Sequence, residues 1–128
     1  MADRKMRILV VDDANLIRLY YRRILEEAGF EVEEALNGIE GLERLLVSPA
    51  DALIVDINMP QMDGVTFLSA LRRQALPLSS IPALVTSTES SAGDIATARA
   101  AGANFYCVKP IGREDLAGAM AMFCGVRA

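Results

Sequence analysis

Five residues that could take part in chemistry follow directly on four short apolar runs. They are Asp12 and Asp13 after the first run, Asp56 after the second, Thr86 after the third and Lys109 after the fourth. Carboxylates can bind a hard divalent cation, and an ammonium group with a hydroxyl can bind an anion beside it. Because the chain contains no histidine, catalytic schemes that depend on a histidine side chain are excluded.

The three aspartates predict a metal site. Carboxylates that converge without a metal repel one another, and this repulsion raises the pKa of at least one of them. Mg²⁺ removes the conflict, and it prefers one or two protein carboxylates together with backbone oxygen, water and a phosphate. We therefore expect Mg²⁺ to be bound by the carboxylates of Asp13 and Asp56 and the main-chain carbonyl of Asn58. Asp12 would act through a water molecule.

Lys109 and Thr86 predict an anion site next to this metal. The lysine would supply one positive point charge and the threonine a hydroxyl donor. A phosphoryl group fits this description.

Each of these residues also has a purely structural interpretation. Asp12 and Asp13 could form a helix N-cap or a turn, and Asp56 could belong to a turn. Thr86 could be an ordinary β-branched strand residue, and the Lys109-Pro pair could occur by chance. The chemical interpretation is favoured because four of the five predicted strands end in complementary groups at one edge of a sheet.

Strands and helices alternate along the chain. The predicted strands span residues 6–11, 30–36, 52–55, 81–85 and 105–108, and the predicted helices lie around residues 17–28, 39–46, 65–71, 95–101 and 114–123. The four continuous apolar runs are typical of parallel strands that are covered on both faces. Because parallel strands need right-handed crossovers, this order predicts a doubly wound α/β fold with helices on both faces of a five-stranded sheet.

The helix ends carry their own signals. Gly29 is placed for a left-handed cap after the first helix, and Asp63-Gly64 is typical of a turn that starts the third. The last helix contains Gly118, so we expect it to be short and to depend on the packing of its apolar side chains. Those side chains are Leu116, Met120 and Phe123.

Length and charge limit the function further. A chain of 128 residues and 13.8 kDa predicts one domain over residues 1–128. A net charge of −4 is unfavourable for binding nucleic acid or an anionic membrane surface. The longest uncharged stretch, residues 74–88, is shorter than the roughly 18 apolar residues of a membrane span, so we expect a cytoplasmic protein without membrane insertion. Dinucleotide and P-loop motifs are absent from the sequence, and its two cysteines are expected to be buried free thiols.

Four motifs, in this order, resemble the signature of response-regulator receiver domains. They are Val10-Val11-Asp12-Asp13, Asp56-Ile57-Asn58-Met59-Pro60 with Asp63-Gly64, Val85-Thr86-Ser87, and Tyr106-Cys107-Val108-Lys109-Pro110. The resemblance extends over residues 6–123, and single-domain, CheY-like receivers are the most similar in form. It implies a flavodoxin-like (βα)5 fold with strand order 2-1-3-4-5.

The resemblance also implies a role for each site residue. Asp56 matches the phosphoacceptor, Asp12 and Asp13 match the acidic pair that binds Mg²⁺, and Lys109 matches the lysine that contacts the phosphoryl oxygens. The Lys109-Pro110 bond matches the family's cis peptide.

Two further residues match the family's switch. Thr86 corresponds to the switch hydroxyl and Tyr106 to the switch aromatic, whose ring turns inward when the hydroxyl moves toward the phosphoryl group. An output partner would then read the face formed by helix 4, strand 5 and helix 5. A serine-rich turn of Ser87, Ser90 and Ser91 is expected ahead of helix 4, so that surface could differ from the chemotaxis protein.

The resemblance implies a phosphoacceptor response regulator of a two-component (histidine-aspartate) system. A histidine kinase or histidine phosphotransfer protein would phosphorylate it, and it would act as a stand-alone receiver in chemotaxis or a phosphorelay. It would be no enzyme apart from catalysing its own phosphotransfer and autodephosphorylation. Two alternatives stay open: a pseudo-receiver that binds partners without phosphorylation, and a haloacid-dehalogenase-like phosphatase, whose second acid is replaced here by Asn58.

Overall fold

The computed structural model describes residues 5–88 and 92–125, which form five strands and five α-helices. The strands are β1 (Arg7–Val11), β2 (Glu31–Ala35), β3 (Ala52–Asp56), β4 (Ala83–Ser87) and β5 (Phe105–Val108). The helices are α1 (Asn15–Glu27), α2 (Gly38–Val47), α3 (Gly64–Arg72), α4 (Ala92–Ala101) and α5 (Arg113–Cys124), and a short 3-10 helix (Leu78–Ser80) precedes β4.

The strands form one parallel sheet in the order β2-β1-β3-β4-β5. The predicted fold class and strand order are confirmed. The order reverses between β1 and β3, and in open α/β sheets ligands bind beyond the carboxyl ends of the strands at such a point. The register of the β3–β4 pair aligns Asp56 with Thr86, so these two strand-end residues are direct neighbours.

An apolar core covers each face of the sheet. One core lies under α2, α3 and α4, and the other under α1 and α5. Side chains alternate between the two faces along each strand, so Leu9 and Val11 join the first core while Ile8 and Val10 join the second. The same alternation places Asp56 and Thr86 on the α1/α5 face, because Ile54 and Leu84 belong to that core.

Two expectations about the elements are wrong. The last helix is not short: α5 has 12 residues and buries Leu116, Met120 and Ala121. Gly118 does not break the helix because the burial of its packed side outweighs the backbone cost of a helical glycine. Strand β5, at the edge of the sheet, is not covered on both faces, since all four of its residues are at least partly exposed.

The helix-end signals are confirmed. Gly29 has a φ of +96° after α1, and the Asp63 carboxylate accepts a hydrogen bond from the Thr66 amide at 2.8 Å as the N-cap of α3. Ser87 is the buried last residue of β4 and does not belong to a turn. The rest of the expected serine-rich turn, Ser90 and Ser91, lies outside the described residues.

Two smaller expectations concern the cysteines and the membrane. Cys107 and Cys124 are free thiols, as expected, but each is only partly buried. Within residues 5–88 and 92–125, every helix is too short or too polar to cross a membrane.

Candidate functional site

The acidic pair lies in the turn between β1 and α1. Asp12 is only 1% exposed, and its amide donates to the carbonyl oxygen of Ala35 at 3.1 Å, which extends the β1–β2 ladder past the strand. Its Oδ1 accepts a hydrogen bond from the Ala14 amide at 2.9 Å, so the carboxylate also closes the turn. Asp13 is exposed to solvent. The structure therefore supports both the turn interpretation and the chemical one for Asp12.

Asp56 ends the central strand β3, and the fold brings it to the acidic pair. Its side chain is buried, and Oδ1 accepts a long hydrogen bond of 3.4 Å from the Asn58 amide. Carboxylate oxygens of Asp12, Asp13 and Asp56 lie within 4.8 Å of one another. We call these three residues the acidic cluster. Asn58 lies two residues beyond β3 and is exposed.

Lys109 approaches the acidic cluster from the end of β5. Its amide donates to the Ser87 carbonyl oxygen at 2.7 Å, which extends the β4–β5 ladder by one residue. The Nζ atom then lies 2.9 Å from Oδ2 of Asp12 and 3.3 Å from Oδ1 of Asp56. The Lys109-Pro110 peptide bond is cis, as expected.

The charges at this site perturb one another. Burial raises the pKa of Asp56, the neighbouring Asp12 raises it further, and Lys109 offsets only part of the rise. Burial by itself lowers the pKa of Lys109, but its contacts with Asp12 and Asp56 outweigh that effect and leave this pKa raised. The lysine is therefore protonated at neutral pH, and this one cation contacts two of the three carboxylates in the acidic cluster.

This charge imbalance fits a divalent cation. Converging carboxylates with one ammonium group leave a net negative charge, and oxygen atoms are the ligands that Mg²⁺ prefers. The acidic cluster could hold such an ion, with Asp12 and Asp56 buried and Asp13 open to water.

Thr86 has a polar atom that lacks a partner. The side chain is completely buried, and among the described residues Oγ1 finds no hydrogen-bond partner. A buried hydroxyl without a partner is unfavourable by about 1–3 kcal/mol. Because Thr86 is the register neighbour of Asp56, an acceptor oxygen added to Asp56 could satisfy this hydroxyl.

Tyr106 lies one strand farther from the acidic cluster. It is the register partner of Val85 in β5, is partly buried, and packs against the core under α2, α3 and α4. The register pairs Cys107, and not Tyr106, with Thr86, so Tyr106 lies on the strand next to Thr86 with its side chain on the sheet face that α2, α3 and α4 cover.

Two residues near the site were missed or underestimated from the sequence. Gly64 was interpreted as a turn residue, but a Cβ atom there would lie 2.6 Å from the carbonyl oxygen of Asp56. Arg18 was not singled out, yet its guanidinium donates to the carbonyl oxygen of Asp12 at 2.5 Å. The signal for Arg18 was a charged residue on the apolar face of the first helix, next to Ile17.

Comparisons with known proteins agree with this geometry. Residues 8–121 match the family model described as the response regulator receiver domain. The transcriptional regulatory protein PrrA of Mycobacterium leprae (strain TN) is 40% identical over 110 residues, which cover 86% of this chain and 46% of PrrA. PrrA of Mycobacterium tuberculosis gives the same identity and coverage. The chain therefore spans about half the length of these relatives.

Solved structures share the fold over nearly the whole chain. The chemotaxis protein CheY4 of Vibrio cholerae superposes with a TM-score of 0.87 at 34% identity, covering 94% of this chain and 99% of CheY4. A CheY-like receiver domain protein from Methanospirillum hungatei has a TM-score of 0.87 at 28% identity, covering 95% of each chain.

Proposed function

The chain belongs to the response regulator receiver domain family, and from this premise we propose that it is phosphorylated on Asp56 in a two-component (histidine-aspartate) pathway. Receiver domains of this family are signalling modules. The observation that carries the proposal is the arrangement around the buried Asp56: its carboxylate contacts Lys109, and its register partner Thr86 has a hydroxyl without a hydrogen-bond partner among the described residues.

The chemistry that we propose is nucleophilic. A carboxylate oxygen of Asp56 forms a new O–P bond while the P–N bond to a donor histidine breaks, and the imidazole leaves with its electron pair and takes up a proton. The product is an acyl phosphate. A water molecule that attacks its phosphorus restores the carboxylate and releases inorganic phosphate. This cycle is the only catalysis that we propose for the chain.

Charge stabilisation comes from residues already at the site. Asp12 and Asp13, with the Asp56 carboxylate and the Asn58 main-chain carbonyl, would hold Mg²⁺, which would supply positive charge to the transferring phosphoryl oxygens. Lys109 can exchange its contact with Oδ1 of Asp56 for a phosphoryl oxygen without leaving Asp12, because its ammonium group has three donors.

We propose that Thr86 and Tyr106 convert phosphorylation into a change of surface. The added phosphoryl group offers acceptor oxygens beside the buried Thr86 hydroxyl, and the threonine moves to donate to one of them. That movement opens space for the Tyr106 ring, which changes the face formed by α4, β5 and α5. An output protein would read this face, and a histidine kinase or phosphotransfer protein would act as the phosphodonor.

A single receiver domain over residues 1–128 is part of the proposal. The solved CheY4 chain is covered to 99%, which supports a stand-alone receiver in chemotaxis or a phosphorelay, whereas PrrA is covered to only 46%. The intact mass of the protein purified from its source distinguishes these two arrangements.

The direct test is labelling with a small phosphodonor. Incubation with acetyl phosphate and Mg²⁺ should add one phosphoryl group, and peptide mass spectrometry after borohydride reduction should locate it on Asp56. The Asp56→Asn protein should stay unmodified. Asp63→Asn is a matched control, because Asp63 is an N-cap outside the acidic cluster. Labelling of Asp56→Asn to the wild-type extent would contradict the assignment.

A further inference from the structure

Arg18 is a charged residue on the buried side of α1. The residue is only 5% exposed and lies on the helix face that also buries Tyr21 and Leu25. Arginine is rarely buried to this extent unless its donors are paired. Its pairing therefore indicates what the side chain does.

The guanidinium donates to three parts of the site's framework. Nη1 donates to the carbonyl oxygen of Asp12 at 2.5 Å, and Nη2 donates to Oδ1 of Asn15, the first residue of α1. Nε donates to Oε1 of Glu34 in β2 at 2.8 Å. The planar fork of arginine can make these bonds at once, whereas a lysine has one nitrogen from which to make them.

Glu34 is held in place by a second arginine. Arg22, one turn farther along α1, donates through Nε to Oε2 of Glu34 at 2.6 Å. The carboxylate thus joins two arginines of α1 to β2, and only Arg18 also contacts the turn that carries the acidic pair.

The Asp12 main chain is consequently held on both sides. Its amide donates to Ala35 in β2, and its carbonyl accepts from Arg18. The Asp12 carboxylate bonds the Ala14 amide at 2.9 Å, so its direction depends on the path of this same turn. The position of Asp13, the next residue, depends on that path as well.

We propose that Arg18, held by Glu34, is a positioning residue for the Mg²⁺ site, because it fixes the turn that carries Asp12 and Asp13. The inference rests on the proposed function and adds to it a residue that does not itself touch the metal or the phosphoryl group. Groups behind the ligands of a metal site commonly change its affinity by 10-fold or more.

The direction in which the Mg²⁺ affinity changes when Arg18 is replaced distinguishes a positioning role from a purely electrostatic one. Removal of a positive charge near three carboxylates makes the site more negative, so Coulomb attraction alone would tighten Mg²⁺ binding. Loss of the bond to the Asp12 carbonyl allows the turn to adopt other backbone conformations. Mg²⁺ binding is then weaker, because Asp12 and Asp13 are no longer held in one position. Positioning therefore predicts weaker binding in an uncharged variant.

The experiment is a Mg²⁺ titration without phosphodonor, followed by the NMR shifts of the Asp13 and Ala14 amides. Arg18→Met should raise the Mg²⁺ concentration for half-saturation about 10-fold. Arg22→Met is the matched control: it loses the bonds to Glu34 and Glu26 but none to the turn, and it should stay within about twofold of wild type. Arg18→Lys should lie between wild type and Arg18→Met, and it serves as the test if Arg18→Met does not fold.

A second measurement separates this role from a general loss of structure. At saturating Mg²⁺ the rate of labelling by acetyl phosphate should return to near the wild-type value in the Arg18 variants. Half-saturation in the Arg18 variants equal to or lower than in wild type would overturn the inference while leaving the proposed function intact. Absence of Mg²⁺ binding and labelling in wild type would instead overturn the proposed function.

Discussion

At the scale of single residues, Lys109 and Thr86 are both prepared for a group that the unmodified protein lacks. Lys109 faces more negative charge than it can neutralise, because two buried carboxylates contact its one ammonium group. The Thr86 hydroxyl is buried without a partner among the described residues. Both features are unfavourable in the unmodified protein, and a phosphoryl group with a divalent cation would relieve both.

The near-isosteric change Thr86→Val tests whether the buried Thr86 hydroxyl is unfavourable in the unmodified protein. The hydroxyl has no partner among the described residues, so the free energy of unfolding should be unchanged or higher by up to about 3 kcal/mol, as measured by urea denaturation. Phosphorylation at Asp56 should persist in this variant, and binding of the output partner should no longer increase on phosphorylation. Thr66→Val, a change on an exposed side of α3, is a control for the added apolar group. A loss of more than about 2 kcal/mol in Thr86→Val would mean that the hydroxyl has a partner in solution.

At the scale of elements, the start of α3 packs directly against the backbone at the end of β3. The β3–α3 loop returns so closely over the strand that a Cβ atom at Gly64 would lie 2.6 Å from the Asp56 carbonyl oxygen and 2.8 Å from Cα of Ile57. Both neighbours are backbone, so neither can rotate away. The position of the proposed phosphoacceptor therefore depends on a glycine in α3.

Gly64 and Gly118 make a matched pair for mutation, because both lie in helices. Gly64→Ala should lower the free energy of unfolding by about 1–3 kcal/mol and slow labelling of Asp56, since the loop must shift to admit the methyl group. Gly118→Ala meets no atom within 4 Å and should raise the free energy of unfolding by about 0.5–1 kcal/mol without affecting labelling. Urea denaturation and acetyl phosphate labelling measure both effects, and equal stability changes in the two variants would contradict the close contact at Gly64.

The accuracy of the sequence prediction differs between elements for physical reasons. Apolar runs located the central strands because β1, β3 and β4 are covered on both faces, and five polar residues at four strand ends located the site. Helix α5 extends one residue beyond the expected span at each end, because the expected packing of Leu116 and Met120 outweighs the cost of a helical glycine more fully than the sequence indicated.

Arg18 was missed for a different reason. Its role depends on Glu34, which lies 16 residues away in the sequence and comes close only when β2 pairs with β1. The periodicity of a helix cannot reveal a partner on a distant strand.

At the scale of the whole molecule, the acidic cluster concentrates negative charge in a chain whose net charge is already −4. This repulsion exists only where folding brings the three carboxylates together, so the native state should bind Mg²⁺ far more tightly than the unfolded chain. Mg²⁺ binding should therefore stabilise the fold.

Mg²⁺ at ten times its dissociation constant should add about 1.4 kcal/mol to the free energy of unfolding, and EDTA should reverse the gain. Thermal unfolding with and without Mg²⁺ measures this effect. Asp13→Asn should lose most of the gain, whereas Asp63→Asn, outside the cluster, should keep it. Equal stabilisation of all three proteins by Mg²⁺ would show that the ion binds elsewhere.

The central strand β3 and the edge strand β5 should open at different rates. β3 is bonded on both sides, by β1 and β4, whereas β5 ends the sheet of the described residues and is bonded only by β4. Amides of a central strand exchange with deuterium mainly through global opening, while those of an edge strand also exchange through local fraying. The backbone of Asp56 is thus among the slowest parts of the molecule to open, and that of Tyr106 is among the faster. The proposed phosphoryl group would therefore be attached to a strand that opens slowly, while the surface that responds to it would belong to a strand that opens more readily.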